Sequence, residues 1–500
     1  MLVAVSVVAP ARAALDDAPA GLIASSTTLA KVRALYLRAH GQEHTKNAML
    51  IERWKVVQDG LTGTFVSNRL GKDYREQTTL GPLVYENGVR SGTRWQQNRN
   101  GITFTFANYH ERDAIDERAF TSRNTTDVKL IGEAIDENAY VVQIDPRFGR
   151  REWLFIDKRS GQIVRRERIE RRTRIVTVYE DFKLFDGVLE PSHVRTTDSI
   201  GNDREQTIVS RVLDSTPDLP DIAIPPSRPF VEFPAGNAPV KLPVRFVNGL
   251  CVVRVLVDGH PFDFLLDTGA AGIVVDSALT DALNLERYGN RVGATFGSFD
   301  ETTAIVPSLS VGALHMRNVV VRDLSLAFRP DEKTRIWGLL GFDFFADTAI
   351  HVDAERNLAE AVAPAAFRPP SDASEENLAL DDKIPAVTAH VGTVAARMVL
   401  DTGANRTLLA LDFADRADLG DRSSTIAHFR GVGGLASGET ARVGSLAIGS
   451  LDVGSVVVDI SSADFGAEDI DGFIGTDVLH GFETWFNYRT SAVYLRRKPR

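Results

Sequence analysis

One signature occurs twice in this chain. Phe264-Leu265-Leu266-Asp267-Thr268-Gly269-Ala270 sets an apolar run ahead of Asp-Thr-Gly-Ala, and Val399-Leu400-Asp401-Thr402-Gly403-Ala404 repeats it 134 positions later (401 − 267). A second marker keeps the same step: Leu339-Leu340-Gly341-Phe342-Asp343 and Phe473-Ile474-Gly475-Thr476-Asp477. Two motifs in one register mean a duplicated unit. Each copy contributes one aspartate, so the fold has to be one in which two like lobes can set two carboxylates side by side.

The surrounding pattern is that of strands. Val252 to Val257 and Phe262 to Leu266 flank Asp258-Gly259, a hairpin signal whose second strand delivers Asp267 to a loop. Ala386 to Val391 and Arg397 to Leu400 do the same around Gly392 for Asp401. Short helices are expected over Ser277 to Leu285 and Leu411 to Leu419, and closing strands over Ala349 to Val352 and Thr484 to Tyr488. This reads as two all-β lobes. Asp343 and Asp477 recur in register at the start of helix-like stretches, which suits helix-capping carboxylates.

Asp-Thr-Gly-Ala after an apolar strand, with an apolar-apolar-Gly stretch about 75 residues on, resembles the retropepsin-like aspartic proteases. The resemblance covers Leu242 to Leu495. It implies two all-β acid-protease lobes, with Asp267 and Asp401 as a catalytic pair acting on a polypeptide without metal or other cofactor. Thr268 and Thr402 would brace the two loops, completed by Gly269, Ala270, Gly403 and Ala404. Leu340-Gly341 and Ile474-Gly475 would pack beneath them. Such a pair has a physical logic, because two carboxylates at close range cannot both ionise and so share one proton. A lid should exclude water. Its candidates are the hairpins Val292 to Asp300 and His428 to Gly434, with Gly297, Phe299, Phe429 and Gly431. Neither holds the tyrosine of a pepsin-type flap.

The first half is different. Ser25 to Ala39 reads as a helix with Leu29, Val32, Leu35 and Tyr36 on one side. Period-two segments follow at Thr64 to Val66, Ile102 to Phe106, Tyr140 to Ile144, Trp153 to Val164 and Ile175 to Tyr179. One helix and a long antiparallel sheet suggest an α+β half-barrel-like domain. Trp153 to Pro191 resembles the lipoprotein-carrier fold of the bacterial envelope, which implies a lipid or lipoprotein partner for residues 20–215. The basic run Arg165 to Arg174 reads as the solvated face of strands, with glutamates as cross-strand partners. His40, His44 and His110 lack metal-ligand spacing.

Eight prolines between Thr216 and Pro243 mark a stiff, extended boundary. The expected division is a leader at 1–19, a mixed domain at 20–215, a linker at 216–241, lobes at 242–363 and 378–500, and a second linker at 364–377. The apolar start and Ala11-Arg12-Ala13 resemble the end of a signal peptide cut after Ala13, although a basic n-region is missing. Export to a periplasm or the exterior is the resulting expectation. The single Cys251 excludes an intramolecular disulfide framework. Residues 231–500 carry a net charge of −12 against +2 for residues 1–230, which argues against a nucleic-acid partner. No stretch reaches the roughly 18 apolar residues of a spanning helix. The leading expectation is a monomeric aspartic endopeptidase with both lobes in one chain. The alternative is a non-catalytic carrier or adaptor binding through the amino-terminal sheet; a third reading pairs lobes between chains.

Overall fold

The computed structural model describes residues 18–40, 48–106, 120, 127–146, 150–170, 173–216, 219–295, 297–380, 383–420, 422–431, 434–462 and 469–499. Residues 1–17, most of the segment expected to be a leader, lie outside them, as do His44 and His110. Among the described residues strands make up 56% and helix 9%, so the fold is mostly β. The chain divides into two compact units, residues 1–95 with 107–224 and residues 96–106 with 225–500.

In the first unit, tight turns set the sheet. Asp59-Gly60 and Ser91-Gly92 take positive φ at both residues, the backbone that two-residue hairpins need. Met49–Gln58, Leu61–Leu70, Asp73–Leu80 and Leu83–Arg90 form a meander that joins Asp203–Asp214 through Met49–Gln58. Beyond it come His193–Asp198, Thr173–Glu180, Ile163–Glu170, Glu152–Asp157, Ala139–Ile144 and Val128–Ala134. The helix runs Leu29–His40 and buries Val32 against Val142, Leu154 and Ile156. It starts four residues later than expected because Ser25 is engaged elsewhere. The Ser25 hydroxyl donates to Glu133 at 2.5 Å, and Ile23 bridges Glu133 through the backbone. In the basic run, Arg166 bonds Glu152 at 2.6 Å and Arg174 bonds Glu167 at 2.7 Å. Both glutamates are buried beneath those arginines.

The second unit holds the duplication. Its lobes meet in a six-stranded sheet ordered Val240–Lys241, Leu358–Val362, Ala349–Asp353, Phe482–Asn487, Ala492–Arg497 and Ser374–Asn377. At its centre His351 faces Trp485, the residue 134 positions on, and their rings stack at 4.4 Å and 5°. Neighbouring pairs are Ile350 with Phe486 and Val352 with Thr484, so the register has a two-fold centred on His351 and Trp485. Each lobe adds its own sheet. In both, the strand that precedes Asp-Thr-Gly is covered on both faces. Phe264 and Leu266 enter the main core, while Leu265 joins Leu250, Val252, Val274, Ile336 and Leu339 in a second cluster. In the other lobe that second cluster is Ile384, Ala386, Val399, Leu408, Ile470 and Phe473, the same positions plus 134. Each such buried Val, Leu, Ile or Phe side chain contributes about 1.5–3 kcal/mol.

The short helices end earlier than the apolar pattern indicates. They span Ser277–Ala282 and Leu411–Arg416, because Asn284 and Asp418 adopt left-handed backbone and wind the chain off. Asp343 and Asp477 do not occupy the N-cap positions, although Asp477 accepts the Val478 N–H in its helix's first turn at 3.0 Å. The caps are Gly341 and Gly475, and both carboxylates point back to the strand after the Asp-Thr-Gly loop. The proline-rich stretch is extended and packed: the Phe230 and Val231 N–H groups donate to the Asp347 carboxylate at 2.8 and 2.9 Å. Among the described residues no helix is long and apolar enough to cross a membrane.

The shared sheet should be a stability element for both lobes. Trp485→Ala removes the ring stacked on His351 and is expected to cost about 2–4 kcal/mol, read by urea unfolding. A loss below about 0.5 kcal/mol would show that the central pair carries little.

Candidate active site

Each loop begins where an apolar strand stops. Phe264 to Leu266 run parallel to Gly338–Leu340, and the Asp267 N–H donates to the Leu340 carbonyl at 3.0 Å. In the second copy Met398 to Leu400 lie beside Gly472–Ile474, and the Asp401 N–H donates to the Ile474 carbonyl at 2.9 Å. The far ends are tied as well. The Phe342 N–H reaches the Ala270 carbonyl at 2.9 Å, and the Thr476 N–H reaches that of Ala404 at 2.8 Å. Leu340-Gly341 and Ile474-Gly475 thus hold each loop from below.

The threonines join the two loops. The Thr268 hydroxyl donates to the Leu400 carbonyl at 2.6 Å and accepts the Thr402 N–H at 2.9 Å. Reciprocally, the Thr402 hydroxyl donates to the Leu266 carbonyl at 2.7 Å and accepts the Thr268 N–H at 3.0 Å. Both side chains are buried. An unmet partner in such a site costs about 1–3 kcal/mol, so the loops move together or not at all.

That clamp brings the aspartates together. A Cβ on Gly269 would lie 2.7 Å from the Asp401 carboxylate, and one on Gly403 would lie 2.5 Å from that of Asp267. Each carboxylate therefore sits over the other lobe's glycine, where any side chain would displace it. Gly269 donates its N–H to Asp267 at 2.9 Å, and Gly403 to Asp401 at 2.8 Å. Burial, with the negative charge of Asp401 added, lifts Asp267 well above the usual carboxylate range. Burial lifts Asp401 too, but the Gly403 N–H and a hydrogen bond from Asp267 oppose it. Both carboxyls are thus lifted above the ordinary carboxylate range, and two buried groups this close cannot both ionise freely.

Around this centre the cluster of Leu265, Val274 and Leu339 includes Ala270, and Phe299 packs against it from the hairpin Arg287–Ala294 and Ser298–Val311. Gly297 lies in that hairpin's turn, its carbonyl accepting the Thr295 N–H at 3.1 Å. In the second lobe Arg422–Gly431 pairs with Gly434–Ile448, placing Phe429 opposite Ala436 and Gly431 opposite Gly434. The side chains of 424–437 lie outside the described residues.

Tyr488 escaped the sequence reading. Its buried ring stacks on Phe345 at 5.3 Å, and its hydroxyl has no hydrogen-bond partner among the described residues. Burial and then the Asp267 and Asp401 charges push its phenol far up, so it stays neutral near the pair. The duplication could not reveal it, since the position 134 earlier is Ala354.

A carboxyl whose folded pKa is raised binds its proton more tightly folded than unfolded, so its contribution to stability falls as pH rises above the unfolded value near 3.8. Asp267→Asn removes that cost. It is expected to raise the melting temperature at neutral pH by on the order of 2–4 °C and to leave it unchanged below about pH 3.5, in unfolding scans across pH. A uniform shift at all pH values would contradict the assignment.

Comparison with known families agrees with this geometry. Residues 253–347 match the family described as "gag-polyprotein putative aspartyl protease", and residues 387–478 match the family described as "aspartyl protease". No curated protein matches the chain. The two matched segments fall one in each copy and contain Asp267 and Asp401 respectively. The second half of this chain thus carries two tandem segments that match aspartyl-protease families, one in each copy, in keeping with the retropepsin-like resemblance.

Proposed function

We propose that the chain is an aspartic endopeptidase whose catalytic pair is Asp267 and Asp401. The observation that carries this reading is the reciprocal placement of each carboxylate over the other lobe's glycine, inside one chain. Ionised Asp401 takes a proton from a water held between the two groups, and the resulting hydroxide attacks the peptide carbonyl carbon. Protonated Asp267 hydrogen-bonds the carbonyl oxygen and transfers its proton as the tetrahedral intermediate forms. The proton taken by Asp401 then passes to the departing amine. As the C–N bond breaks, a hydroxyl of the intermediate returns its proton to the ionised Asp267, so the pair ends as it began, with one proton on Asp267, and no step of this scheme draws on a metal or cofactor.

The loops hold this geometry through Thr268 and Thr402, and the apolar surface around Ala270 and Phe299 would help exclude water from a bound polypeptide. Because both aspartates are supplied by one chain, the working species would be a monomer. The leader-like start supports an exported enzyme, in a periplasm or outside the cell. Nothing among the described residues favours a carrier over a hydrolase.

The test is cleavage of a denatured protein mixture from pH 3 to pH 7.5, with and without pepstatin. Asp267→Asn, Asp401→Asn and the double variant are each expected to lose at least ~10³-fold, with no further loss in the double variant, because the pair acts as a unit. Retained cleavage in either single variant would overturn the proposal.

A further inference from the structure

The two lobes differ in how they satisfy one buried aspartate. In the second lobe, Asp477 accepts both groups of Thr407, the N–H at 3.0 Å and the hydroxyl at 2.8 Å. That hydroxyl in turn accepts the Gly475 N–H at 3.2 Å. The strand after the Asp401 loop is thereby fastened to the segment that supports the loop. The counterpart of Asp477 in the first lobe is Asp343, and that of Thr407 is Ile273 (each 134 earlier). Ile273 gives Asp343 its N–H at 3.3 Å but has no hydroxyl to offer.

The missing donors come from far away in sequence. Residues 96–106 group with the protease unit rather than with the residues on either side of them. There the Asn98 amide donates to Asp343 at 2.5 Å and the Asn100 amide donates to its other oxygen at 3.2 Å. The turn is built for this. The Asn98 side-chain amide oxygen, Oδ1, accepts the Asn100 and Ile102 N–H groups, fixing the loop, while Asn100 also exchanges hydrogen bonds with the Val320 backbone. Ile102 is buried in the lobes' common core, and the Phe104 ring meets Phe342 edge-on at 4.9 Å. Gly272 leaves room for the arrangement, since its position is 3.2 Å from the Asp343 carboxylate when a Cβ is added.

We infer that Asn98 and Asn100 are positioning residues of the first protease lobe, replacing through Asp343 the fastening that Thr407 supplies in the second. The hairpin is then a component of the protease unit. A cut that released everything before residue 225 would leave Asp343 buried with an incomplete set of donors, and the Asp267 loop less firmly seated.

Hydrogen exchange of the full-length protein tests this without requiring any substrate. The peptides to follow are those covering 266–275 and 400–409. Asn98→Asp with Asn100→Asp keeps the acceptor that orders the turn but replaces both donors facing Asp343 with acceptors. Exchange in 266–275 should speed up about tenfold while 400–409 stays unchanged. Adding Ile273→Thr supplies the hydroxyl found in the second lobe and should restore most of the protection, which no general loss of hairpin packing would allow. Thr407→Ile is the converse variant and should speed exchange only in 400–409. Unchanged exchange in 266–275, equal acceleration of both segments in either variant, or failure of Ile273→Thr to restore protection would each overturn the inference.

Discussion

The site depends on four buried hydrogen bonds exchanged by Thr268 and Thr402. Each hydroxyl donates to a carbonyl of the other copy and accepts that copy's N–H. Neither lobe can satisfy these groups alone, and a buried polar group left unpaired is costly. The clamp therefore makes the pairing of the lobes a condition of the local structure of each loop. From that pairing follow the closeness of the carboxylates, the need for glycine at 269 and 403, and the raised affinity of Asp267 for its proton.

The rest of the second unit serves to keep that clamp in register. The strands that deliver the aspartates are buried on both faces by clusters that repeat position for position. The two-fold at His351 and Trp485 aligns the lobes a second time, in a different sheet. The symmetry is not complete: the buried Tyr488, whose phenol burial keeps neutral, has Ala354 at the matching position of the first copy.

What the sequence made legible was what duplication marks. The 134-residue step located both Asp-Thr-Gly-Ala loops, the supporting Gly341 and Gly475, and the strands between. Turn chemistry such as Asp258-Gly259 placed hairpins well. The misreadings have physical causes. Apolar spacing extended the short helices, because it says nothing of the left-handed residues Asn284 and Asp418 that end them. Asp343 and Asp477 looked like caps because an Asp near a helix start usually is one, whereas here the glycines cap and the carboxylates brace a neighbouring strand. Asn98, Asn100 and Tyr488 were invisible for a simpler reason. Their roles arise from contacts across long sequence separations, and no local pattern encodes them.

The central claim is that Asp267 and Asp401 titrate as one unit with a single proton between them. Carbon-13 NMR of the aspartate carboxyl carbons across pH tests it most directly. Two coupled steps are predicted, one above and one nearer the ordinary aspartate value, with both resonances responding to each step. Asp401→Asn should collapse them to one step and lower the Asp267 value, since the neighbouring charge is gone. Two independent titrations near pH 3.8, unaffected by that substitution, would contradict the account.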